Sequence, residues 1–219
     1  MSLERKYLKE ALKELREKTA KRNFSQSVEL IINLRDVDVS KPENRIREVI
    51  ELPHPIGKKV NVCVFASGDI ALRARRAGAD LVLEREEIES LMNDKKKQRQ
   101  IAKQIDFFIA TAPLMPLVGR VFGSILGPRG KMPTPISPTA DIEREIERHR
   151  RLTTVRTRGQ PVLSCRVGTE NMSDEDIIDN IEAVVRKIEG KLRRGIKNID
   201  SIYIKASMGP PIKVKIKEE

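Results

Sequence analysis

The hydrophobic and polar positions at both ends of the chain follow one style. Residues 3–20 repeat apolar side chains at helical spacing among Lys, Arg and Glu, which predicts an amphipathic helix. The runs 27–34 and 46–52 are rich in β-branched residues and predict strands. Near the other end, residues 199–205 and 212–216 alternate apolar and polar residues, as half-buried antiparallel strands do. Both ends therefore predict structure of the α+β class.

The clearest helix of the chain follows a predicted strand at 161–167. Ser173, with Asp176 three residues later, indicates a capping box at the start of this helix. Gly195 is expected to end it, because glycine accepts the backbone conformation that closes helices. The apolar positions that share one face are Ile177, Ile178, Ile181, Val184, Val185, Ile188 and Leu192. A face of this length predicts a helix that contributes to a core.

The middle of the chain has short, nearly continuous apolar runs that alternate with helical patterns. The predicted strands are 60–65, 81–83 and 107–111. The predicted helices are 70–77, 84–92, 95–104, 114–126 and 141–151. Such strands are buried on both faces, so the alternation argues for a parallel sheet in a three-layer α/β unit. Between two of these helices, the Gly/Pro-rich segment 127–133 predicts a rigid exposed loop.

The change of style along the chain predicts two domains. We expect a host domain formed by residues 1–64 and 157–219, which brings both ends of the chain together. We expect an inserted α/β domain at residues 65–156. An insertion of this kind is tolerated where it replaces a surface turn of the host.

Composition adds a class of partner to this picture. The chain has 219 residues, a formal net charge of +11 at pH 7 and a sequence pI near 9.8. Clustered Lys and Arg neutralise phosphates and release counterions, so the excess charge points to a polyanion. Five Phe, two Tyr and no Trp are few rings for stacking platforms. We therefore expect any nucleic acid to be held by its backbone, riboses and shape.

The same composition excludes several locations. No segment approaches the roughly 20 apolar residues of a membrane-spanning helix, and the first residues are charged rather than apolar like a signal peptide. Cys63 and Cys165 are too few for a disulfide framework and predict two reduced thiols. We therefore expect a cytoplasmic protein that neither spans a membrane nor is secreted.

The sequence offers no catalytic constellation. The Gly-Lys pair at Gly130 and Lys131 lacks the features of a phosphate-binding loop, since Ile125 and Met132 occupy the positions that need Gly and Ser or Thr. Two histidines and two distant cysteines support neither a zinc site nor a nucleophile pair. We expect no enzyme, no metal and no cofactor. The alternatives are a nucleotide-dependent enzyme on the α/β domain and a nonspecific basic binder that treats DNA and RNA equally.

Three motifs give a specific resemblance. They are Phe24 with Gln26, Ser27, Val28 and Glu29; Leu-Gly-Pro-Arg-Gly-Lys-Met-Pro-Thr-Pro from Leu126 to Pro135; and Ser-Met-Gly-Pro from Ser207 to Pro210. With these motifs, in this order and at these distances, the chain resembles the ribosomal protein L-one family of the mobile stalk of the large ribosomal subunit. Lys131 and the residues after Pro135 are similar to the archaeal branch.

The resemblance implies a fold and a function. It implies a host domain with a split β-α-β arrangement and an inserted Rossmann-like domain. It also implies a structural ribosomal protein that binds the stalk region of large-subunit ribosomal RNA and contacts transfer RNA leaving the exit site. Members of the family bind their own messenger RNA as repressors. We expect the free protein to be a monomer.

The resemblance further implies an RNA-binding surface on the host domain. Its residues are Phe24, Ser27, Glu29, Gly168, Thr169, Ser201, Ser207, Met208, Gly209 and Pro210. Serine hydroxyls can donate hydrogen bonds to ribose 2′-hydroxyls and accept hydrogen bonds from them. Phosphates repel the carboxylate of Glu29, so we expect it to accept hydrogen bonds from a hydroxyl or a base amine. A glycine such as Gly209 lets the backbone approach RNA closely. The Phe24 ring either packs on RNA or belongs to the core.

Four cations are candidate phosphate contacts: Lys21, Arg22, Arg129 and Lys131. Several relatives carry Lys where this chain has Asn23, and Lys21 or Arg22 would replace that contact. Arg129 and Lys131 stand on the expected Gly/Pro loop of the inserted domain. The alternative for this loop is a solvated turn.

Overall fold

The structure, a computed structural model, describes residues 3–157 and 159–216. It divides into a host unit, residues 1–58 and 151–219, and an inserted unit, residues 59–150. Both limits lie six residues before the expected ones. The reason is strand pairing, because the strand Val62–Phe65 pairs inside the inserted unit and the strand Leu152–Arg156 pairs inside the host unit.

The host unit contains two helices, six strands and two short 3₁₀ helices among its described residues. The helices are α1 (Arg5–Lys18) and α7 (Asp174–Glu189), and the 3₁₀ helices are Pro42–Asn44 and Gly195–Asn198. The strands are β1 (Ser27–Leu34), β2 (Arg47–Glu51), β7 (Leu152–Arg156), β8 (Val162–Thr169), β9 (Ile199–Ala206) and β10 (Pro211–Val214). The predicted strands and helices of both chain ends are confirmed, whereas β7 was not predicted.

The host sheet is antiparallel and has the strand order β10-β9-β1-β8. Strand β1 runs antiparallel to both β8 and β9. These two strands are therefore parallel to each other, separated by β1 and connected through α7. This is the split β-α-β arrangement, and the expectation of an α+β host is confirmed. Strands β2 and β7 form a separate antiparallel pair.

One face of the host sheet carries the core. Leu30 and Ile32 of β1 point to this face and join α1 and α7 in one cluster of buried apolar residues. Leu12 of α1 and Ile181 of α7 are fully buried members of that cluster. Such burial stabilises the unit by about 25 cal/mol per Å² of apolar surface removed from water. Helix α7 begins at Ser173, whose hydroxyl accepts a hydrogen bond from the Asp176 N–H at 3.2 Å.

The inserted unit has a parallel sheet of four strands. They are β3 (Val62–Phe65), β4 (Leu81–Leu83), β5 (Phe107–Thr111) and β6 (Thr134–Ile136), in the order β4-β3-β5-β6. The helices are α2 (Asp69–Arg76), α3 (Arg85–Ser90), α4 (Lys95–Gln104), α5 (Met115–Arg129) and α6 (Ile142–Arg150), with a 3₁₀ turn at Ala112–Leu114. Separate apolar clusters cover the two faces of the sheet, with α2 and α6 on one face and α3, α4 and α5 on the other. The three-layer α/β expectation is confirmed.

Helix ends account for most differences from the expected elements. Helix α5 continues through Pro128 to Arg129, where an exposed loop was expected. Gly130, with φ +72°, closes it, and the N–H of Lys131 donates to the Leu126 carbonyl at 3.0 Å. Helix α7 ends at Glu189 with Gly190 as its C-cap, so the expectation that Gly195 ends it was wrong.

Candidate nucleic-acid interface

Three distant segments of the chain meet at one end of the host sheet. The first residue of β1, Ser27, pairs with Thr169 at the end of β8. The next residue, Val28, pairs with Ala206 at the end of β9. The turn Ser207–Pro210 follows directly. Because β1 is antiparallel to both neighbours, the start of one strand and the ends of two others must lie side by side.

Gln26 connects these segments from inside. Its side chain is fully buried, with 0% exposure. Its Oε1 accepts a hydrogen bond from the Met208 N–H at 3.1 Å, and its Nε2 donates to the Ala20 carbonyl at 3.0 Å. Its backbone N–H donates to Glu170 Oε1 at 2.9 Å. One amide side chain thus holds the turn after β9, the segment before β1 and the loop after β8.

The turn after β9 is held by further bonds. The N–H of Ser207 donates to the Ser27 carbonyl at 3.0 Å, and the N–H of Gly209 donates to the Ala206 carbonyl at 3.0 Å. The Ser207 hydroxyl accepts from the Ser27 N–H at 3.3 Å. The hydroxyl of Ser207 is therefore engaged with backbone and also fixes the position of the turn.

Close packing explains why position 209 is a glycine, which the sequence alone did not show. A Cβ placed on Gly209 would lie 2.9 Å from Thr19 Oγ1 and 3.2 Å from the Ala206 Cβ. The Thr19 hydroxyl donates to the Leu15 carbonyl at 2.6 Å, which holds it in place. The φ angle of Gly209 is not positive, so this position does not need glycine for its backbone conformation. A side chain here would have to move the turn away from α1.

Two large apolar side chains project from this end of the sheet into solvent. Phe24 is 53% exposed and Met208 is 63% exposed. The core alternative for the Phe24 ring is therefore wrong. Lys21, Arg22 and Pro210 are exposed as well. Large apolar side chains exposed to water are candidates for contact with a partner.

The face of the host sheet opposite the core is polar. Glu29 lies in register with Arg166 of β8 and with Lys205 of β9, so the three side chains form one row across the sheet. The Nε of Arg166 is buried and has no hydrogen-bond partner among the described residues. Arg166 and Lys205 were missed by the sequence analysis, because cations within strands carry no motif of their own. Only the strand register reveals them.

Ser201 also lies on this polar face. Its hydroxyl accepts a hydrogen bond from Asn33 Nδ2 at 2.9 Å and donates to Asp200 Oδ2 at 3.2 Å. Its side chain is buried, and so is that of Ser27. Asn33, which the sequence analysis did not select, is the more accessible residue of the Asn33–Ser201 pair.

Two candidate residues are enclosed rather than presented. Thr169 is 1% exposed, and its hydroxyl has no partner among the described residues. A Cβ on Gly168 would lie 3.0 Å from Met172 Sδ and 3.1 Å from Ile177 Cγ1. These positions shape the junction between β8 and α7. In the structure, both residues are packed against their neighbours in the protein and are not presented to a partner.

Comparisons with known proteins give the family of the chain. The model of the Ribosomal protein L1p/L10e family matches residues 15–210. The chain belongs to this family. The protein named large ribosomal subunit protein uL1 of Thermofilum pendens is 50% identical over 209 residues, with 94% of this chain and 92% of the relative covered. The proteins of the same name from Methanocella arvoryzae and Pyrococcus abyssi are 44% and 45% identical, and each comparison covers at least 96% of both chains.

The family comparison supports the expectation that the chain is not an enzyme, because these relatives are named as ribosomal proteins. Within residues 3–157 and 159–216, no three His, Cys, Asp or Glu side chains are grouped so as to hold a metal ion. The same part of the chain contains no helix with the length and apolarity to cross a bilayer. Cys63 and Cys165 are both free and buried, and burial raises the pKa of Cys165 to about 12.

The family motif in the inserted unit has a structural role. Lys131 Nζ donates to the carbonyl of Ala102 at 3.1 Å and to the carbonyl of Ile105, at the end of α4. Burial lowers the pKa of this ammonium. Helix ends leave carbonyls without partners, so the contact caps α4. Arg129 is exposed at the end of α5. The structure places neither cation in the host unit with the other candidate residues.

Proposed function

We propose that this chain is a structural constituent of the large ribosomal subunit and binds ribosomal RNA through the polar end of its host sheet. The observation that carries the proposal is the meeting of two segments at one end of the host sheet: the start of β1, which follows Phe24 and contains Glu29, and the turn Ser207–Pro210. Residues about 180 positions apart reach this surface because Gln26 and the β1–β9 register hold them together. Membership of a family of ribosomal proteins supports the RNA partner.

The surface suits recognition by ribose and shape. Its exposed cations, Lys21 and Arg22, attract phosphates and set affinity in a salt-dependent way. Glu29 between Arg166 and Lys205 repels phosphates locally and accepts hydrogen bonds from ribose hydroxyls or base amines. Phe24 and Met208 supply apolar contact with sugar or base faces. Such a surface separates RNA from DNA through the 2′-hydroxyl.

The finer proposal names three RNA partners. The chain binds the mobile-stalk region of large-subunit ribosomal RNA, contacts transfer RNA that leaves the exit site, and represses translation of its own messenger RNA. Repression requires that the message presents an RNA site similar to the ribosomal one, since one surface serves both. The family resemblance of the three motifs supports these assignments.

The test is binding of the full chain to a stalk-region ribosomal RNA fragment across a salt titration, with DNA of the same sequence as competitor. We expect binding that persists at moderate salt and is not displaced by the DNA. Binding that collapses with salt and is displaced equally by DNA would contradict the proposal and leave only a nonspecific basic surface. A fragment from the start of the chain's own message, used as a second competitor, tests repression by displacement of the ribosomal fragment.

A further inference from the structure

A cavity of about 400 Å³ opens at the same end of the host unit. Its apolar floor is formed by Leu12, Leu15, Val28, Ile177 and Ala206. Its polar rim is formed by Arg16, Thr19, Lys21, Arg22, Glu170 and Asn171. The volume lies in the range of about 300–1,000 Å³ that is usual for small-molecule sites. The rim holds three cations, one carboxylate, one hydroxyl and one amide. Because the cations outnumber the carboxylate, this rim and the apolar floor suit a flat ring attached to an anion.

The cavity is continuous with the RNA-binding surface. Thr19 and Ala206 line it, and these are the two residues against which Gly209 packs. Lys21 and Arg22, on its rim, lead along the chain to the exposed ring of Phe24. A nucleotide chain that crosses the Ser207–Pro210 turn therefore passes the cavity mouth.

The cations of the rim differ in what they are free to do. Arg16 is committed to the protein: Nε donates to Asp174 Oδ1 at 2.8 Å, and the other two guanidinium nitrogens donate to the Glu170 and Met172 carbonyls. It fixes one wall. Lys21 and Arg22 are exposed and form no ion pair among the residues that the structure describes. They are available to phosphate groups.

Asn171 contributes an amide to the rim. Its Nδ2 donates to the Ser25 hydroxyl at 3.1 Å, which leaves the side-chain oxygen as a hydrogen-bond acceptor. Glu170 is already engaged by Gln26 through two hydrogen bonds to its carboxylate. A ring that enters the cavity would therefore meet apolar side chains on its faces and one amide acceptor at its edge, which suits the exocyclic amine of a base.

We propose that an unstacked nucleobase of the bound RNA enters this cavity, while Lys21 and Arg22 hold its flanking phosphates. The inference rests on the proposed function, because the nucleobase arrives as part of the RNA. Bases splayed out from loops and bulges are the parts of RNA that proteins read most specifically. The chain then reads one base at this position in addition to ribose and backbone.

The direct test is NMR of the full chain with labelled Leu, Val and Ile methyl groups, free and bound to the stalk-region RNA fragment. We expect contacts between base protons and the methyl groups of Leu12, Val28 and Ile177 in the complex. If RNA binds at the interface without such contacts, the cavity proposal is wrong and the proposed function stands. If the RNA does not bind, the proposed function itself fails.

Variants at the mouth give a second readout. Asn171→Trp places a bulky ring over the exposed mouth, and we expect RNA affinity to fall about tenfold. Gln104→Trp places the same ring at an exposed amide residue of the inserted unit that does not line the cavity, and it serves as the matched control, with affinity within about threefold of the parent. Equal affinity for the two variants would contradict the proposal. Far-UV circular dichroism and thermal unfolding of both variants confirm that the fold is kept.

The phosphate part of the proposal has its own control. The double change Lys21→Gln and Arg22→Gln removes two charges at the mouth, while Lys6→Gln and Lys13→Gln remove two charges from α1 residues that do not line the cavity. We expect the first pair to reduce the slope of log affinity against log salt by about 1–2, and the second pair to change it much less. Equal slopes for both pairs would overturn the role given to Lys21 and Arg22.

Discussion

Among the described residues, the two four-stranded sheets meet solvent in different ways. The parallel sheet of the inserted unit is covered by apolar clusters on both faces, so Val64 and Ile109 are buried along with their neighbours on either side. The host sheet has helices on one face only, and its other face presents Glu29, Lys205 and Arg166. Backbone pairing leaves strand side chains alternating between faces, so an uncovered face can carry polar recognition groups.

The difference explains why two family motifs of similar appearance do different things. The motif around Gly130 and Lys131 belongs to the covered sheet, where it closes α5 and caps α4. The motif around Gly209 belongs to the open sheet, where it ends β9 and projects Met208 into solvent. A glycine beside a cation or a proline is not by itself a binding loop. The role of such a motif depends on whether the sheet beside it is covered on both faces or open on one.

The largest expected effect comes from Gly209→Val. The added side chain collides with Thr19 and Ala206 and moves the turn, so we expect RNA affinity to fall at least about 30-fold. The measurement is the dissociation constant at matched salt. Comparison of Gly209→Ala alone with Gly209→Ala combined with Thr19→Ala separates two causes, since removal of the Thr19 hydroxyl relieves the closest internal contact, at 2.9 Å. Recovery in this double variant would place the cause in packing, and no recovery would place it in close approach of RNA.

Gln26→Ala tests whether the interface is held from inside. The change leaves the Met208 N–H and the Ala20 carbonyl without their buried partner, so we expect the free energy of unfolding to fall by about 1–3 kcal/mol. Urea denaturation measures it. The exposed neighbour Asn23→Ala is the control and should change stability by less than about 0.5 kcal/mol. Equal effects for the two variants would contradict the connecting role of Gln26.

Lys131→Met tests the structural role of the inserted motif. The variant keeps the length of the side chain but removes its donor to the carbonyls of Ala102 and Ile105, so we expect a loss of stability of about 0.5–1.5 kcal/mol. RNA affinity should change less than about threefold. A large loss of affinity with unchanged stability would instead assign Lys131 to a phosphate contact. Thermal unfolding and the RNA titration together decide between the two.

Removal of the inserted unit should leave most of the RNA affinity in place. A shortened chain that joins residue 58 to residue 151 through a flexible linker keeps the core of the host unit and both sides of its sheet. We expect its RNA affinity to remain within about tenfold of the full chain. Circular dichroism establishes folding before the titration. A folded shortened chain that binds no RNA would show that the open sheet does not suffice.

Part of the candidate site could be read from the sequence and part could not. The motif residues Phe24 and Met208, which the resemblance assigns to an RNA-binding surface, are exposed. Gln26 was read only as a motif member, because no pattern tells that its amide is buried between three segments. Arg166 was missed because its place beside Glu29 depends on a strand register that includes a bulge.

The periodic elements can be predicted from the order of residues alone. Apolar spacing places α1 and α7, and β-branched runs place β1 and β9, because these signals act over neighbouring residues and reflect one buried face. Short strands such as β6 and β7 arise only through pairing with β5 and β2, whose residues are distant in sequence. The tertiary structure also decided which side of each sheet is covered. A sheet face is buried where helices pack against it, so the packing of the helices leaves the candidate binding face of the host sheet open and buries both faces of the inserted sheet.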